Sequence, residues 1–263
     1  MQILVLVKAV PDPERANEIT LDPETGTVKR EGIPLVINPL DRNAVEEALR
    51  LKEEKGGTVA ALSMGPPAAE GPLREALALG VDRAVLLSDR AMAGADTLAT
   101  ARVLAAGARY LGDFDLILCG AESFDGGTAQ VGPELAQFLG LPHASYVTSA
   151  REKGGLLEVE AKVEDGRKKL QVRLPALLTV SRELNRPRGL SFSGIVRARG
   201  KKVEVLSLAD LGMDPSRAGV AGSPTIIGDI STPTTTRSGE IIKGDPEEVV
   251  DVLVKKLTEA GVV

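Results

Sequence analysis

Short, almost uninterrupted apolar runs alternate with longer amphipathic stretches through the first half of the chain. The runs lie at residues 3–7, 58–64, 83–87 and 114–119, and the stretches between them carry apolar residues at helical spacing. Strands that are apolar throughout are buried on both faces, and strands that alternate with helices form parallel sheets. The predicted fold class is therefore α/β, a Rossmann-like, mostly parallel sheet with helices on both faces.

The pattern changes in the second half. Residues 156–163 and 168–174 alternate polar and apolar around Asp165-Gly166, which predicts an antiparallel hairpin, and residues 176–180 predict another buried strand. A smaller hairpin is expected within residues 18–30. Beyond Asn185 the periodicity fades into a predicted irregular loop over residues 185–194 and an extended stretch at 232–239. A final amphipathic helix is predicted near residues 246–260.

These changes suggest two parts, an α/β domain at residues 1–186 and an extended C-terminal arm at residues 187–263. The arm has no evident core of its own, so it is either disordered or wrapped around a partner, and the helix at its end favours the partner. In the first part, Asn43 with Glu46 resembles a capping box, which predicts that a helix begins there with an i,i+4 pair from Glu46 to Arg50.

The segment from Leu118 to Ala136 carries the clearest functional signal. An apolar strand runs into a loop with Gly120, Asp125, Gly126, Gly127 and Thr128, and the loop opens a helix. The first N–H groups of a helix lack internal partners and its dipole favours an anion, so such a loop is a candidate phosphate site. A plain strand-to-helix turn explains the same pattern. Lys8, Asn38, Met64 and Gly120 follow separate strands, and their loops could converge on one crevice.

Composition excludes several classes of function. The net charge of −5 and a pI near 5.2 argue against general affinity for nucleic acid or acidic lipid. No apolar run reaches the ~20 residues that span a bilayer, and residues 1–8 resemble a first strand rather than a signal peptide. His143 and Cys119 are the only histidine and cysteine, so no metal site is expected. We expect no catalytic residues, a buried Cys119, a surface or packing His143, and a cytoplasmic location.

Several blocks of residues occur in an order that resembles one family from end to end. They are Val5-Leu-Val-Lys8, Asn38-Pro39, residues 44–52, Ser63-Met-Gly-Pro66, residues 76–83, residues 120–132, Leu174-Pro175-Ala176 and residues 184–188. The family is that of the beta (small) subunits of electron transfer flavoproteins. The resemblance implies a sheet similar to that of adenine nucleotide alpha hydrolases. It also implies a heterodimer with an alpha subunit that carries the redox-active FAD, while this chain holds AMP.

The resemblance further implies that electrons pass from acyl-CoA and related dehydrogenases, as in fatty acid oxidation, to a membrane quinone oxidoreductase. Carried over by position, the nucleotide contacts fall at Leu6, Asn38, Pro39, Leu40, Asp41, Met64, Gly120, Ala121, Glu122, Ser123, Phe124, Asp125, Gly126, Gly127, Thr128, Ala129, Gln130 and Val131. The glycine N–H groups and the Thr128 hydroxyl are expected to face a phosphate, and the strand ends at Leu6 and Met64 to flank a purine.

The family's partner-recognition loop maps to residues 188–199. Phe192 is expected to be an exposed anchor for a partner's pocket, although it could instead pack inward. The expected partner-docking residues are Arg188, Phe192, Ile195, Arg197 and Arg199. The basic residues either form a solvated face or steer acidic partners.

Two departures from the pattern are informative. Leu40 and Pro13 stand where some members have aromatic rings beside the alpha-subunit flavin. Residues 10–12 and 125–132 resemble the electron-bifurcating branch, in which a second FAD replaces AMP, so AMP is favoured here with FAD as the alternative. Two other classes remain open. One is a stand-alone AMP- or ATP-binding module resembling universal stress proteins, and the other is a metal-dependent nucleotide hydrolase using Glu122 and Asp125.

Overall fold

The computed structural model describes residues 1–18, 20–21, 28–29, 32–226, 228 and 239–263. Its contacts divide the chain into one unit of residues 1–227 and a second of residues 228–263. The strands are β1 (Gln2–Leu6), β2 (Ala9–Pro11), β3 (Thr20–Leu21), β4 (Val28–Lys29), β5 (Leu35–Ile37), β6 (Thr58–Met64), β7 (Arg83–Leu87), β8 (Leu116–Gly120), β9 (His143–Lys153), β10 (Leu156–Val163), β11 (Gly166–Arg173), β12 (Ala176–Val180) and β13 (Val203–Leu206). The helices are α1 (Pro39–Lys55), α2 (Glu70–Leu79), α3 (Thr97–Leu111), α4 (Val131–Leu139), α5 (Phe192–Arg199) and α6 (Pro246–Glu259).

The first unit is built on a single large sheet. Among the described residues it has nine strands in the order β11-β10-β9-β12-β8-β1-β6-β7-β13. In this order, each pair of neighbours in the part β9-β12-β8-β1-β6-β7-β13 is parallel. The hairpin of β10 and β11 adds antiparallel pairs at the β9 end. This confirms the predicted α/β fold class, the antiparallel hairpin and the parallel strands.

Helices cover both faces of this sheet. Ile3 and Val5 of β1 face a buried cluster that includes Val45 of α1 and Leu73 of α2. The alternate residues Leu4 and Leu6 face a second cluster with residues of α3 and α4. Successive side chains of a strand point to opposite faces, so an apolar strand such as β1 is buried on both sides, as its composition predicts.

Helix α1 begins earlier than the sequence suggests. Asn38 is its N-cap, and Pro39 occupies the first helical position, where the missing N–H costs nothing. The predicted capping box at Asn43 and Glu46 is therefore wrong, because both residues lie inside the helix and contact the chain near Asn185 and Arg188. The Glu46–Arg50 pair is confirmed, with 3.1 Å between Arg50 Nε and Glu46 Oε1.

The region after Asn185 is more ordered than its sequence predicts. Residues 192–199 form α5, whose N-cap Ser191 accepts a hydrogen bond from the Gly194 N–H, and β13 joins the large sheet beside β7. The division at residues 227 and 228 accordingly differs from the predicted one at residues 186 and 187. The small β3–β4 hairpin is confirmed, whereas its predicted turn lies outside the described residues, as does the extended stretch before Gly239.

The second unit contains α6, which confirms the predicted C-terminal helix. Asp245 caps it by accepting a hydrogen bond from the Glu247 N–H, and Pro246 occupies its first position. Val250, Leu253 and Val254 on its apolar side are exposed within the chain.

Candidate functional site

The C-terminal ends of the central strands lie side by side. Strand β1 pairs in parallel with β6 on one side and β8 on the other, with Leu6 beside Leu62 and Val5 beside Leu118. Leu6, Met64 and Gly120 end these three strands and therefore lie at the same edge of the sheet. Ligands of open α/β sheets bind beyond this edge, so the predicted convergence of loops is present in the fold.

Asp41 joins the ends of two strands at this edge. Its carboxylate accepts hydrogen bonds from the N–H of Lys8, at 2.8 Å, and from the N–H of Gly120, at 2.7 Å. A side chain at Gly120 would collide with this arrangement, because a Cβ there would lie 2.7 Å from Asp41 Oδ1. The first turn of α1 is thus pressed directly against the end of β8.

Asn38 makes a second connection to the loop after β8. Its Nδ2 donates to the Glu122 carbonyl oxygen at 2.9 Å, and its Oδ1 accepts from the Phe124 N–H at 3.0 Å. Its own backbone N–H donates to the carbonyl oxygen of Lys8. Asn38 is buried, and both its amide nitrogen and its amide oxygen are hydrogen-bonded to this loop. It therefore fixes the position of residues 122–124 relative to the edge of the sheet.

Lys8 was expected near this edge from its position after the first strand, but it was not among the predicted nucleotide contacts. Its Nζ lies 2.6 Å from Asp125 Oδ1 and 3.0 Å from Ser123 Oγ. In the same loop the Gly126 and Gly127 N–H groups, which were expected to face a phosphate, donate to Ser123 Oγ and to the Ser123 carbonyl oxygen. These two hydrogen bonds close a turn within the loop.

The next candidate donors along the chain belong to the start of α4. Gln130 is its N-cap, but its side chain makes no capping hydrogen bond, and Ala129 just before it has a φ of 56°. A left-handed residue followed by a right-handed one turns successive N–H groups toward the same side, which forms an anion-binding concavity. A positive φ costs an alanine roughly 1–2 kcal/mol. The strain and the uncapped helix end make residues 128–131 the strongest candidates for a phosphate contact.

Close packing brings the start of α4 against the end of β12. A Cβ on Gly132 would lie 2.4 Å from Thr179 Cγ2, so glycine is needed for α4 to approach β12. From the other side the Thr97 hydroxyl lies 3.1 Å from Glu134 Oε1 and 3.3 Å from Gln130 Oε1. Burial raises the pKa of Glu134 although the Thr97 hydrogen bond works in the opposite direction.

Apart from Gly126, Gly127, Ala129 and Gln130, which are described above, the predicted nucleotide contacts fall into three groups. The structure brings together Asn38, Asp41, Gly120, Ser123 and Asp125 by direct hydrogen bonds or through Lys8. The side chains of Leu6 and Ala121 are buried, and Met64 packs partly against the core below α3 and α4. The more exposed members, which border the loop and the start of α1, are Pro39, Leu40, Glu122, Phe124, Thr128 and Val131.

The other titratable candidates lie apart from this edge or are inert. Cys119 is buried, and burial raises the pKa of its thiol, so the predicted role of a small core residue is confirmed. His143 is exposed at the start of β9. Within the described residues, no group of three or more His, Cys, Asp or Glu side chains could hold a metal ion.

The expected docking residues occupy two different environments. Phe192 is 84% exposed at the start of α5, which confirms its predicted exposure, and Ile195 is exposed beside it. Arg197 and Arg199 are exposed on the same helix, and their side chains make no hydrogen bond or ion pair within the part of the chain that the structure describes. Arg188 differs from them, because its guanidinium is bound by Glu46 and Glu53 of α1.

The titration of Asp41 gives a testable pH dependence. Burial raises its pKa from 3.8 to about 6, against the opposing hydrogen bonds from Lys8 and Gly120. The folded protein holds this proton more tightly than the unfolded chain, so its stabilising effect is complete below about pH 4 and is lost as the pH rises through about 6. We expect the free energy of unfolding of the wild type, minus that of Asp41→Asn, to fall by about 3 kcal/mol over this range. Urea titrations of both proteins across pH 4–7 measure it, and a difference independent of pH would contradict it.

None of the helices that the structure describes combines the length and the apolar character needed to cross a membrane.

Comparison with known proteins identifies the family. Residues 25–211 match the family model described as the electron transfer flavoprotein domain. The whole chain is 48% identical to the electron transfer flavoprotein subunit beta of Thermoanaerobacterium thermosaccharolyticum, over the full length of both. It is 44% identical to the caffeyl-CoA reductase-Etf complex subunit CarD of Acetobacterium woodii and 38% identical to the acryloyl-CoA reductase electron transfer subunit gamma of Anaerotignum propionicum, again over the full length of each. The chain belongs to the electron transfer flavoprotein family, in which its full-length similarity groups it with the beta subunits.

Proposed function

We propose that this chain pairs with an FAD-carrying alpha subunit and binds the adenylate part of a nucleotide in the crevice beyond β1, β6 and β8. The observation that carries the proposal is the uncapped start of α4, which follows the loop held by Lys8 and Asn38. Free N–H groups and a helix dipole stabilise a phosphate without any catalytic side chain.

In this role the chain is a scaffold rather than an enzyme. The flavin of the partner carries the electrons, and this subunit supplies the nucleotide site and the docking surface around Phe192. The donors served are dehydrogenases of the acyl-CoA type, with a membrane quinone oxidoreductase as acceptor, and the complex works in the cytoplasm. The hydrolase alternative is weakened because Asp125 is paired with Lys8 at the loop.

A second candidate ligand for the crevice is FAD, and a specific observation favours it. Two full-length relatives are named as subunits of caffeyl-CoA and acryloyl-CoA reductase assemblies, in which a CoA-thioester reductase is the partner. Residues 10–12 and 125–132 resemble the branch that holds a second FAD. FAD contains the adenylate group, so the same loop serves either ligand, and the complex would then pass electrons to a reductase.

Nucleotide analysis of the purified heterodimer tests the proposal. We expect acid to release either AMP with one FAD per dimer, or two FAD with no AMP, and chromatography with absorbance at 260 and 450 nm distinguishes them. One FAD and no AMP would contradict an adenylate site in this chain. Size-exclusion chromatography of the chain alone and after co-expression with the alpha subunit tests the stand-alone alternative, which requires a stable, nucleotide-binding single chain.

A further inference from the structure

Arg188 makes an unusually complete set of contacts with α1. Its Nε and Nη2 donate to the two carboxylate oxygens of Glu46 at 2.8 and 3.2 Å, and its Nη1 and Nη2 donate to Glu53 at 2.6 and 3.1 Å. Its backbone N–H adds a further bond to Glu46 at 3.0 Å. A planar guanidinium bound on two sides has a fixed position and orientation. Because the backbone N–H of Arg188 is bound as well, both the side chain and the backbone of this residue are fixed against α1.

Glu46 is the buried side of this arrangement. Its side chain is 6% exposed. Burial works to raise its pKa, but the hydrogen bonds and charge of Arg188, together with Arg50, outweigh burial and hold the pKa below its usual range. A buried carboxylate that loses such a partner is left with an uncompensated charge. Glu46 and Arg188 therefore act as one unit, and removing either residue is expected to disturb the other.

The chain around Arg188 is anchored before it and after it. Just before it, the Asn185 side chain donates to the Asn43 carbonyl oxygen and to Glu47, again on α1. Beyond it, α5 lies against α2 so closely that a Cβ on Gly194 would be 2.2 Å from the Ala78 carbonyl oxygen. Between these anchors only residues 189–191 separate Arg188 from the exposed ring of Phe192. The position of the Phe192 ring therefore depends on the position of Arg188, at which this short connection begins.

We propose that Arg188 is a positioning residue, which acts through Glu46 and Glu53 to set the direction of residues 189–192 and so to place Phe192 for docking, without touching the partner itself. This inference rests on the docking role proposed above. It divides the basic residues of this region into two kinds. Arg188 is used within the chain, whereas the exposed Arg197 and Arg199 face outward and suit a partner whose apolar pocket has an acidic rim.

The experiment uses the assembled heterodimer, with Arg188→Ala, Arg188→Lys, Glu46→Gln and the Arg188→Ala/Glu46→Gln double variant. Reduction by an acyl-CoA dehydrogenase provides KM and kcat, and hydrogen exchange of the amides of residues 189–199 reports directly on positioning. We expect Arg188→Ala and Glu46→Gln each to raise KM about tenfold with little change in kcat. The double variant should be no worse than Arg188→Ala, because residues that act as one unit are not additive. Lysine, a single point charge, should restore the affinity only in part.

Arg50→Ala is the comparison variant, since Arg50 donates to the same Glu46 carboxylate but, among the described residues, makes no hydrogen bond to residues 188–199. It should leave KM and hydrogen exchange near wild type. A normal KM in Glu46→Gln beside a raised KM in Arg188→Ala would overturn the proposal, because Arg188 would then contact the partner directly. Unchanged exchange in Arg188→Ala would also overturn it. A normal KM in Phe192→Ala, with exchange still raised in Arg188→Ala, would defeat the docking role but not the anchoring by Glu46.

Discussion

Replacing Gly120 with alanine should destabilise the protein by about 1–3 kcal/mol and empty the nucleotide crevice. The new Cβ would lie 2.7 Å from Asp41 Oδ1, 2.7 Å from Leu40 Cβ and 3.0 Å from the Asp41 backbone nitrogen. The last of these is backbone, so the collision cannot be relieved by a change of rotamer. The start of α1 must move away from β8, which breaks the Gly120 N–H to Asp41 hydrogen bond and displaces Asn38, and with it residues 122–124.

Thermal unfolding and nucleotide content of the purified heterodimer measure this effect. Gly71→Ala in α2 is the matched control, because nothing lies within 4 Å of its added Cβ and alanine is the better helix former. It should be neutral or slightly stabilising and retain the nucleotide. A Gly120→Ala heterodimer with full nucleotide content and an unchanged melting temperature would show that α1 and β8 are not packed as described.

Replacing Phe192 with alanine should lower kcat/KM for reduction by an acyl-CoA dehydrogenase about 30-fold, the effect of losing about 2 kcal/mol at an interface hot spot. The ring is almost fully exposed and its helix is seated on α2, so the free subunit loses little packing. Stability and flavin content should therefore stay at the wild-type level, and the loss should fall mainly on KM.

Tyr110→Ala provides the comparison for this prediction. Tyr110 is a half-exposed aromatic residue on α3 and lies outside the proposed docking segment at residues 188–199. Its removal should change neither kcat/KM nor the flavin content. Equal electron transfer in the Phe192→Ala and wild-type heterodimers would exclude Phe192 as the anchor of the dehydrogenase.

The regular elements of the first half follow from local patterns. The predicted spans of β6 and β7 agree with the structure. The spacing of apolar residues is a local pattern. A buried strand and an amphipathic helix each require a different spacing, so the pattern predicts which of the two forms. The loop between Gly120 and Val131 could be predicted for the same reason, since its glycines and the helix that follows are adjacent in sequence.

The errors arise where a distant residue changes the local preference. Asn43 and Glu46 have the spacing of a helix cap, yet Pro39 allows an earlier start and the two side chains bind Asn185 and Arg188 instead. No strand was predicted at residues 203–206, which pair in parallel with β7 at the end of the large sheet.

Sequence patterns were enough to establish the α/β class, the strand–loop–helix unit that ends at α4 and the full-length family resemblance, because each depends on neighbouring residues or on motifs in order. Only the folded chain shows that Asp41 joins Lys8 to Gly120 and that Arg188 is held by α1 rather than left for a partner. Those contacts link residues far apart in the chain. A carboxylate can pair with any of several chemically equivalent partners. The tertiary fold decides which of them lies within reach, and no local sequence pattern contains that information.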